Sequence, residues 1–132
     1  MEDHSDKLIV IAAGYEEQLQ ELLSTNPGFP SRFTNHIPFK DYSEEELLEI
    51  LYLYSKKEGY LIEDDAKPIL QTYITHLKQS IPKSQFGNAR VVRNIWNQLK
   101  SILNRRLSNL DLAEIPAEQM MTVTAEDVSS LG

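Results

Sequence analysis

The feature that most constrains the fold is one amphipathic segment, Ala89 to Ser108. Its apolar residues recur at helical spacing and form one continuous face: Val92, Ile95, Trp96, Leu99, Ile102, Leu103 and Leu107. A helix with so wide an apolar face has to be covered by other elements. Asn88 stands at its start, where an Asn side chain often caps the first free amides, so we predict that it caps this helix. The chain must therefore build a helical core around residues 89–108.

A second helix is predicted from the residue that precedes it. Ser43 and Glu46 have the spacing of a capping box, in which each side chain satisfies a backbone amide at the other residue. The apolar residues that follow are spaced for a buried helical face as far as Glu58. Gly59 is placed to end this helix.

Two further helices complete the predicted bundle. One begins near Glu63 or Asp64, tolerates Pro68 in its first turns and ends before Pro82. A polar connector through Glu118 is predicted to be irregular, and residues 121–123 to be extended. The pair Thr124 and Asp127 caps a last short helix to Ser130. We found neither internal repeats nor low-complexity tracts.

The first forty residues have a different pattern. Residues 8–13 form a short apolar run that suits a buried strand, residues 16–24 have helical spacing, and residues 36–39 form a second short extended piece. This order of elements predicts a strand, helix and strand crossover. The connector from Asn26 to Phe33 cannot continue a helix because it contains Pro27 and Pro30, so Arg32 is predicted to lie on a loop.

Composition limits the classes of partner. The 132 residues include 13 Lys and Arg against 20 Asp and Glu, a net charge of −7. Such a surface argues against nucleic acid or anionic lipid as a partner. The charge is uneven, because residues 66–110 contain eight basic residues and no acidic ones. This segment is either a region that meets an anion or an acidic surface, or a basic helix face solvated by water, which is the commoner case.

Several functional classes are disfavoured by what the sequence lacks. It has no Cys and no long uncharged apolar run, so we expect a cytoplasmic protein without a signal peptide or membrane span. His4, His36 and His76 do not have the spacing of metal ligands, so no metal site is expected. The glycines are isolated and form no phosphate-binding loop, so the chain alone should not bind and hydrolyse a nucleotide.

Two arginines on predicted turns, Arg32 and Arg90, are the main candidate functional residues. A guanidinium is always charged and presents a planar fork of donors, so it can neutralise charge on a phosphoryl group. From residue type alone, the better explanation is that both cap carbonyls or pair with surface acids. The surrounding sequence favours the phosphoryl role.

Four blocks of sequence carry a resemblance to a known family. They are Ile9-Val10-Ile11-Ala12-Ala13-Gly14-Tyr15, then Asn26-Pro27-Gly28 with Ser31-Arg32-Phe33, then residues 37–47, and finally Phe86-Gly87-Asn88-Ala89-Arg90 with Val92-Arg93-Asn94. In this order and spacing the chain resembles the C-terminal portion of AAA+ ATPases of the branch that contains stage V sporulation protein K, the CbbX-like red-type Rubisco activase and the ATPases of type VII secretion. The blocks cover nearly the whole chain.

The resemblance implies roles for individual residues. Arg32 would be the arginine finger, acting on the nucleotide of the neighbouring subunit. Arg90 would be sensor 2, reaching the γ-phosphate in its own subunit, with Arg93 one turn further along. The sensor 1 position would fall at Tyr15, where many AAA+ proteins have Asn or Thr. ATP and Mg²⁺ would be the cofactors of the intact protein, with none bound by this chain, and the partners would be other copies in a hexameric ring and an unknown protein substrate.

The expected fold class is mostly α with a small α/β remnant. Residues 1–41 would be the strand-helix-strand remnant of an AAA+ large subdomain, and residues 42–132 the helical lid. The intact protein would be an ATPase that remodels proteins, while this chain alone would be inactive. The alternative is a non-catalytic helical adaptor. Since the strand between the two predicted strands is missing, we expect residues 1–40 to rearrange, to pair with another copy or to be poorly ordered.

Overall fold

The computed structural model describes residues 8–28, 32–83, 86–111 and 113–131. The chain divides into two compact units, Met1–Lys40 and Asp41–Gly132. The described part of the chain is mostly helical with one small parallel sheet, which confirms the predicted fold class.

The described residues of the first unit contain one helix, α1 (Glu16–Thr25). Its first turn carries two acidic residues, which the positive end of the helix dipole favours, and Pro27 follows its end. The predicted strands at residues 8–13 and 36–39 are absent, because these described residues form no ladder with any other described segment. Their apolar side chains are largely exposed, with Ile9 and Ile11 both 86% and Phe39 93% accessible. A strand without a paired neighbour has no hydrogen bonds to hold it.

The second unit begins with α2 (Glu44–Lys57), and the predicted capping box at its start is confirmed. Glu46 N donates to Ser43 Oγ at 3.1 Å, and Ser43 N donates to Glu46 Oε1 at 3.1 Å. Gly59 ends the helix as predicted, at a φ of 81°. Its amide donates to Lys56 O and the amide of Tyr60 donates to Ser55 O, which together form a Schellman motif.

The remaining elements are α3 (Ala66–Ser80), α4 (Ala89–Ser108), α5 (Ala117–Met120) and α6 (Ala125–Ser129), with strands β1 (Leu61–Ile62) and β2 (Thr122–Val123). The strands are parallel, and Leu61 is paired with Thr122. Strand β1 was not predicted, and α5 begins within the connector that was predicted to be irregular.

The core of the second unit lies where α4 packs against α2. Trp96, Leu99 and Leu103 of α4 are at most 1% exposed, as are Leu47 and Leu51 of α2. Helices α3 and α6 and strand β2 close the remaining sides with buried Leu70, Ile74, Val123 and Val128. Each fully buried aliphatic side chain of this kind stabilises the fold by roughly 1.5–3 kcal/mol. The apolar face predicted for α4 is therefore the centre of the bundle.

An ion pair fastens α6 to α4. Arg106 Nε lies 2.8 Å from Asp127 Oδ1, and Arg106 Nη2 lies 3.0 Å from Asp127 Oδ2. Arg106 Nη2 also donates to Thr122 O at 3.2 Å. Asp127 is only 2% exposed and also completes the capping box of α6 with Thr124. The hydrogen bond from Arg106 to the carboxylate is the main cause of a raised pKa of Arg106, so this guanidinium stays charged.

We predict that Arg106→Met destabilises the second unit by about 2–4 kcal/mol, because the change leaves a buried carboxylate without its guanidinium. Urea unfolding followed by circular dichroism would measure the loss. Arg105→Met is the matched control, since the neighbouring Arg105 is exposed on the same turn of α4. Equal unfolding midpoints for the two variants would contradict the role given to the pair.

Candidate functional site around the start of α4

The turn before α4 has an unusual backbone. Asn88 has a φ of 47° and a ψ of −115°, the conformation of the second residue of a type II′ turn, which normally requires glycine. Arg90 N donates to Gly87 O at 2.9 Å and closes the turn. Asn88 is the one residue other than glycine with a positive φ in the described part of the chain. Local strain of this kind persists where the surrounding contacts hold it.

The side chain of Asn88 does not cap α4, so the prediction that it does is wrong. Its Oδ1 accepts a hydrogen bond from Tyr42 N at 3.0 Å, and its Nδ2 donates to Asp41 Oδ1 at 3.0 Å. Lys78 Nζ of α3 donates to Tyr42 O at 2.8 Å. The side-chain amide of Asn88 therefore binds residues 41–42 and not the first turn of α4.

The predicted sensor residues Arg90 and Arg93 lie in the first two turns of α4, three residues apart, and both are exposed. Residues at this spacing lie on neighbouring positions of one helix surface. The first turn of α4 contains no acidic residue, so the positive end of the helix dipole adds to the charge of Arg90. The arrangement can attract an anion.

The other two predicted site residues lie in the first unit. Tyr15 immediately precedes α1 and is 57% exposed, and its carbonyl accepts from Leu19 N at 2.9 Å. Arg32 is exposed. Of the four predicted site residues, the structure brings together Arg90 and Arg93 within one element. The roles given to all four remain predictions.

A groove of about 600 Å³ lies between the end of α2 and the middle of α4. It is lined by Tyr54, Lys57, Glu58, Arg93, Trp96, Asn97 and Lys100. Lys100 Nζ lies 2.9 Å from Glu58 Oε2 and 5.7 Å from the centre of the Trp96 ring, which is a cation–π distance. Arg93 is thus part of a mainly cationic groove.

Contacts in the groove lower the pKa of Glu58. The hydrogen bond from Lys100 is the main cause, and the indole of Trp96 contributes to the same lowering. Within the part of the chain that the structure describes, no partner satisfies the geometry of a hydrogen bond with Trp96 Nε1. The ion pair holds Lys100 across the ring face, which shields the buried indole from solvent.

Some classes of site are absent from the described residues. Among residues 8–28, 32–83, 86–111 and 113–131, no three His, Asp or Glu side chains are grouped so as to hold a metal ion. Within the same ranges, no helix is both long enough and apolar enough to cross a membrane.

Comparison with known proteins identifies the second unit. The AAA lid domain family matches residues 43–131, which is more than half of the chain. The chain belongs to the AAA lid domain family. This match begins at the capping residue Ser43 and extends through α6, so the lid comprises helices α2 to α6 together with the small sheet.

The similarity to longer proteins extends beyond the lid. CbbX of Cereibacter sphaeroides is 35% identical over 128 residues, which cover 97% of this chain and 40% of CbbX. The chloroplastic ribulose bisphosphate carboxylase/oxygenase activase of Cyanidioschyzon merolae is 35% identical over 132 residues, covering 96% of this chain and 42% of the activase. The ESX-3 secretion system protein EccA3 of Mycolicibacterium smegmatis is 36% identical over 138 residues, covering 97% of this chain and 23% of EccA3.

The chain therefore spans less than half the length of each of these relatives. Because nearly all of it is matched, the first unit is included in the similarity as well as the lid. The chain corresponds to the C-terminal portion of a CbbX-like AAA+ protein.

Two long-range contacts of the second unit were not predicted from the sequence. The hydrogen bond that Tyr42 N donates to Asn88 Oδ1 joins residues 46 positions apart, and the ion pair of Arg106 with Asp127 joins residues 21 positions apart. Asp127 was recognised only as a capping residue, and Arg106 only as one of the eight basic residues of segment 66–110. The available signal was the apolar residue Val128 directly after Asp127, which indicates that this short helix packs against the core. An acidic side chain in such a position needs a cationic partner.

We predict that Lys100→Met raises the pKa of Glu58 towards its ordinary value, because the main hydrogen bond to the carboxylate is lost. Wild-type stability should contain a small contribution from Glu58 that is present above its unfolded-state pKa and is lost as the pH falls through its lower folded-state pKa. Carboxyl carbon NMR titration would measure the change. Lys67→Met, which removes a pair with Asp64 instead, should leave the Glu58 titration unchanged.

Proposed function

We propose that this chain is the nucleotide-sensing C-terminal portion of an AAA+ ATPase that remodels proteins. The observation that carries the proposal is the membership in the AAA lid domain family together with two exposed arginines at the start of α4. Arg90 acts as sensor 2 and contacts the γ-phosphate bound by its own subunit. Arg93 supports it from the next turn.

The first unit supplies the second part of the proposed mechanism. Arg32 acts as an arginine finger on ATP bound by the neighbouring subunit, where its guanidinium stabilises the charge that develops on the transferring phosphoryl group. The side chain of Arg32 is exposed, which is compatible with a residue acting on a neighbouring subunit. Tyr15 occupies the sensor 1 position. Because its hydroxyl lies at the end of a ring, it would reach a water only from further away than Asn or Thr does.

The cofactors and assembly follow from this mechanism. ATP and Mg²⁺ are bound by a phosphate-loop portion that these 132 residues do not contain, and the subunits form a hexameric ring in the cytoplasm. We assign the chain to the branch that includes stage V sporulation protein K. The substrate is a protein, and since the relatives are named for such different tasks as secretion and Rubisco activation, its identity is a property of the particular protein.

A non-catalytic adaptor is the second candidate. It is favoured by the exposed apolar residues 8–11 of the first unit, which suit a protein partner. The two functions differ in whether the arginines matter for nucleotide turnover.

The test of the arginine finger joins this chain to the part of CbbX that it does not match, which by resemblance carries the phosphate loop. We expect Arg32→Ala to lower ATP turnover by about 10³-fold or more while ATP binding is retained. Arg105→Ala, an exposed arginine at the far end of α4, is the matched control. Mixing the Arg32→Ala chimera with a phosphate-loop variant that retains Arg32 should restore activity, because the finger acts across the subunit boundary.

The same chimera tests sensor 2. Arg90→Ala should lower turnover by about tenfold or more without rescue by mixing, because this arginine acts within its own subunit. Turnover within threefold of the Arg105→Ala control would remove the sensor role. If neither arginine affected turnover although the chimera hydrolysed ATP, the adaptor function would be the better account.

A further inference from the structure

Asn88 occupies a backbone conformation that glycine would adopt more easily. At a φ of 47° its Cβ is crowded by the backbone, so an L-residue here costs free energy that glycine would not. A glycine, however, has no side chain to reach residues 41–42. The contacts of the Asn88 amide are what hold this conformation in place.

These contacts surround one short segment. Asn88 Oδ1 accepts from Tyr42 N and Asn88 Nδ2 donates to Asp41 Oδ1, both at 3.0 Å. Lys78 Nζ donates to Tyr42 O at 2.8 Å, so the amide and the carbonyl of Tyr42 are both occupied. Tyr42 is thus hydrogen-bonded both to the turn before α4 and to helix α3.

Residues 41–42 lie where the chain enters the second unit. Asp41 is the first residue of the second unit, and Ser43 begins the capping box of α2. Asn88 lies two residues before Arg90, and the bond from Arg90 N to Gly87 O spans it. A change in the Asn88 backbone therefore alters both the path of Arg90 and the hydrogen bonds to Tyr42.

We propose that Asp41, Tyr42, Lys78 and Asn88 form a latch that couples the position of Arg90 to the segment by which the chain enters the lid. In this latch Asn88 is a positioning residue, and its strained backbone returns to an ordinary conformation when residues 41–42 are released. The functional meaning of the latch rests on the proposed role of Arg90, while its existence does not.

The first test uses the 132-residue chain and amide hydrogen exchange measured by NMR. Asn88→Gly should speed exchange at Tyr42 by about tenfold, the factor that corresponds to one net hydrogen bond. Exchange in the middle of α4 should be unchanged. Asn94→Ala, an exposed amide on the same helix, is the matched control and should leave Tyr42 unaffected.

The second test asks whether the coupling acts in the reverse direction, as any coupling between two positions must. Asp41→Ala combined with Lys78→Met should release the segment and shift the backbone amide signals of residues 87–90, with the φ-dependent coupling constant of Asn88 moving to that of a negative φ. In an Asn88→Gly background the same pair of changes should leave the Arg90 amide signal unmoved. A purely local stabilising role would not predict this dependence.

Two results would overturn the latch. One is an amide exchange rate at Tyr42 that is unchanged in Asn88→Gly. The other is an Arg90 amide signal that does not shift when Asp41→Ala and Lys78→Met are made with Asn88 in place. The proposed function fails by a different result, since it depends on ATP turnover of the Arg90→Ala chimera. A latch that passes both tests beside an Arg90 that does not affect turnover would be a structural device without a sensing role.

Discussion

Covering the apolar face of α4 is the constraint on which the rest of the lid depends. Trp96 is the largest side chain in that face and is 1% exposed. Tyr60 packs edge-on against it with ring centres 5.2 Å apart, and Tyr60 can do so because the Schellman turn at Gly59 reverses the chain directly after α2. A backbone conformation that suits glycine thus decides whether the central tryptophan is covered.

The parts of the fold that the sequence predicted are those that depend on local interactions. The capping boxes at Ser43 and Thr124 join residues three positions apart, and the boundaries of α2 and α4 agree with the structure to within one residue. Hydrophobic spacing also predicted which face of α4 is buried. These signals lie within a few turns of helix, so a single sequence contains them in full.

The parts that were not predicted join distant segments. Strand β1 is two residues long and exists only because Thr122 and Val123 lie beside it, and no period-two pattern can be seen in so short a piece. Asn88 has the residue type and position of a helix cap, yet its amide binds residues 41–42. In both cases a contact across the bundle overrides the local preference. In the candidate site, the sequence therefore pointed to Asn88 as an important residue but did not predict which residues it binds.

The parallel pairing of β1 with β2 also has a consequence for the order in which the lid folds. Helices α2, α3 and α4 are contiguous in the chain and can begin to associate through nearby contacts, whereas β1 has to wait until residues 122–123 are available, about sixty positions later. The entropy of closing a loop of that length has to be overcome before the pairing stabilises the fold, so such contacts form later than local ones. During synthesis, one side of the lid core therefore stays open until residues 122–128 have been made, because Val123 and Val128 are the side chains that cover it.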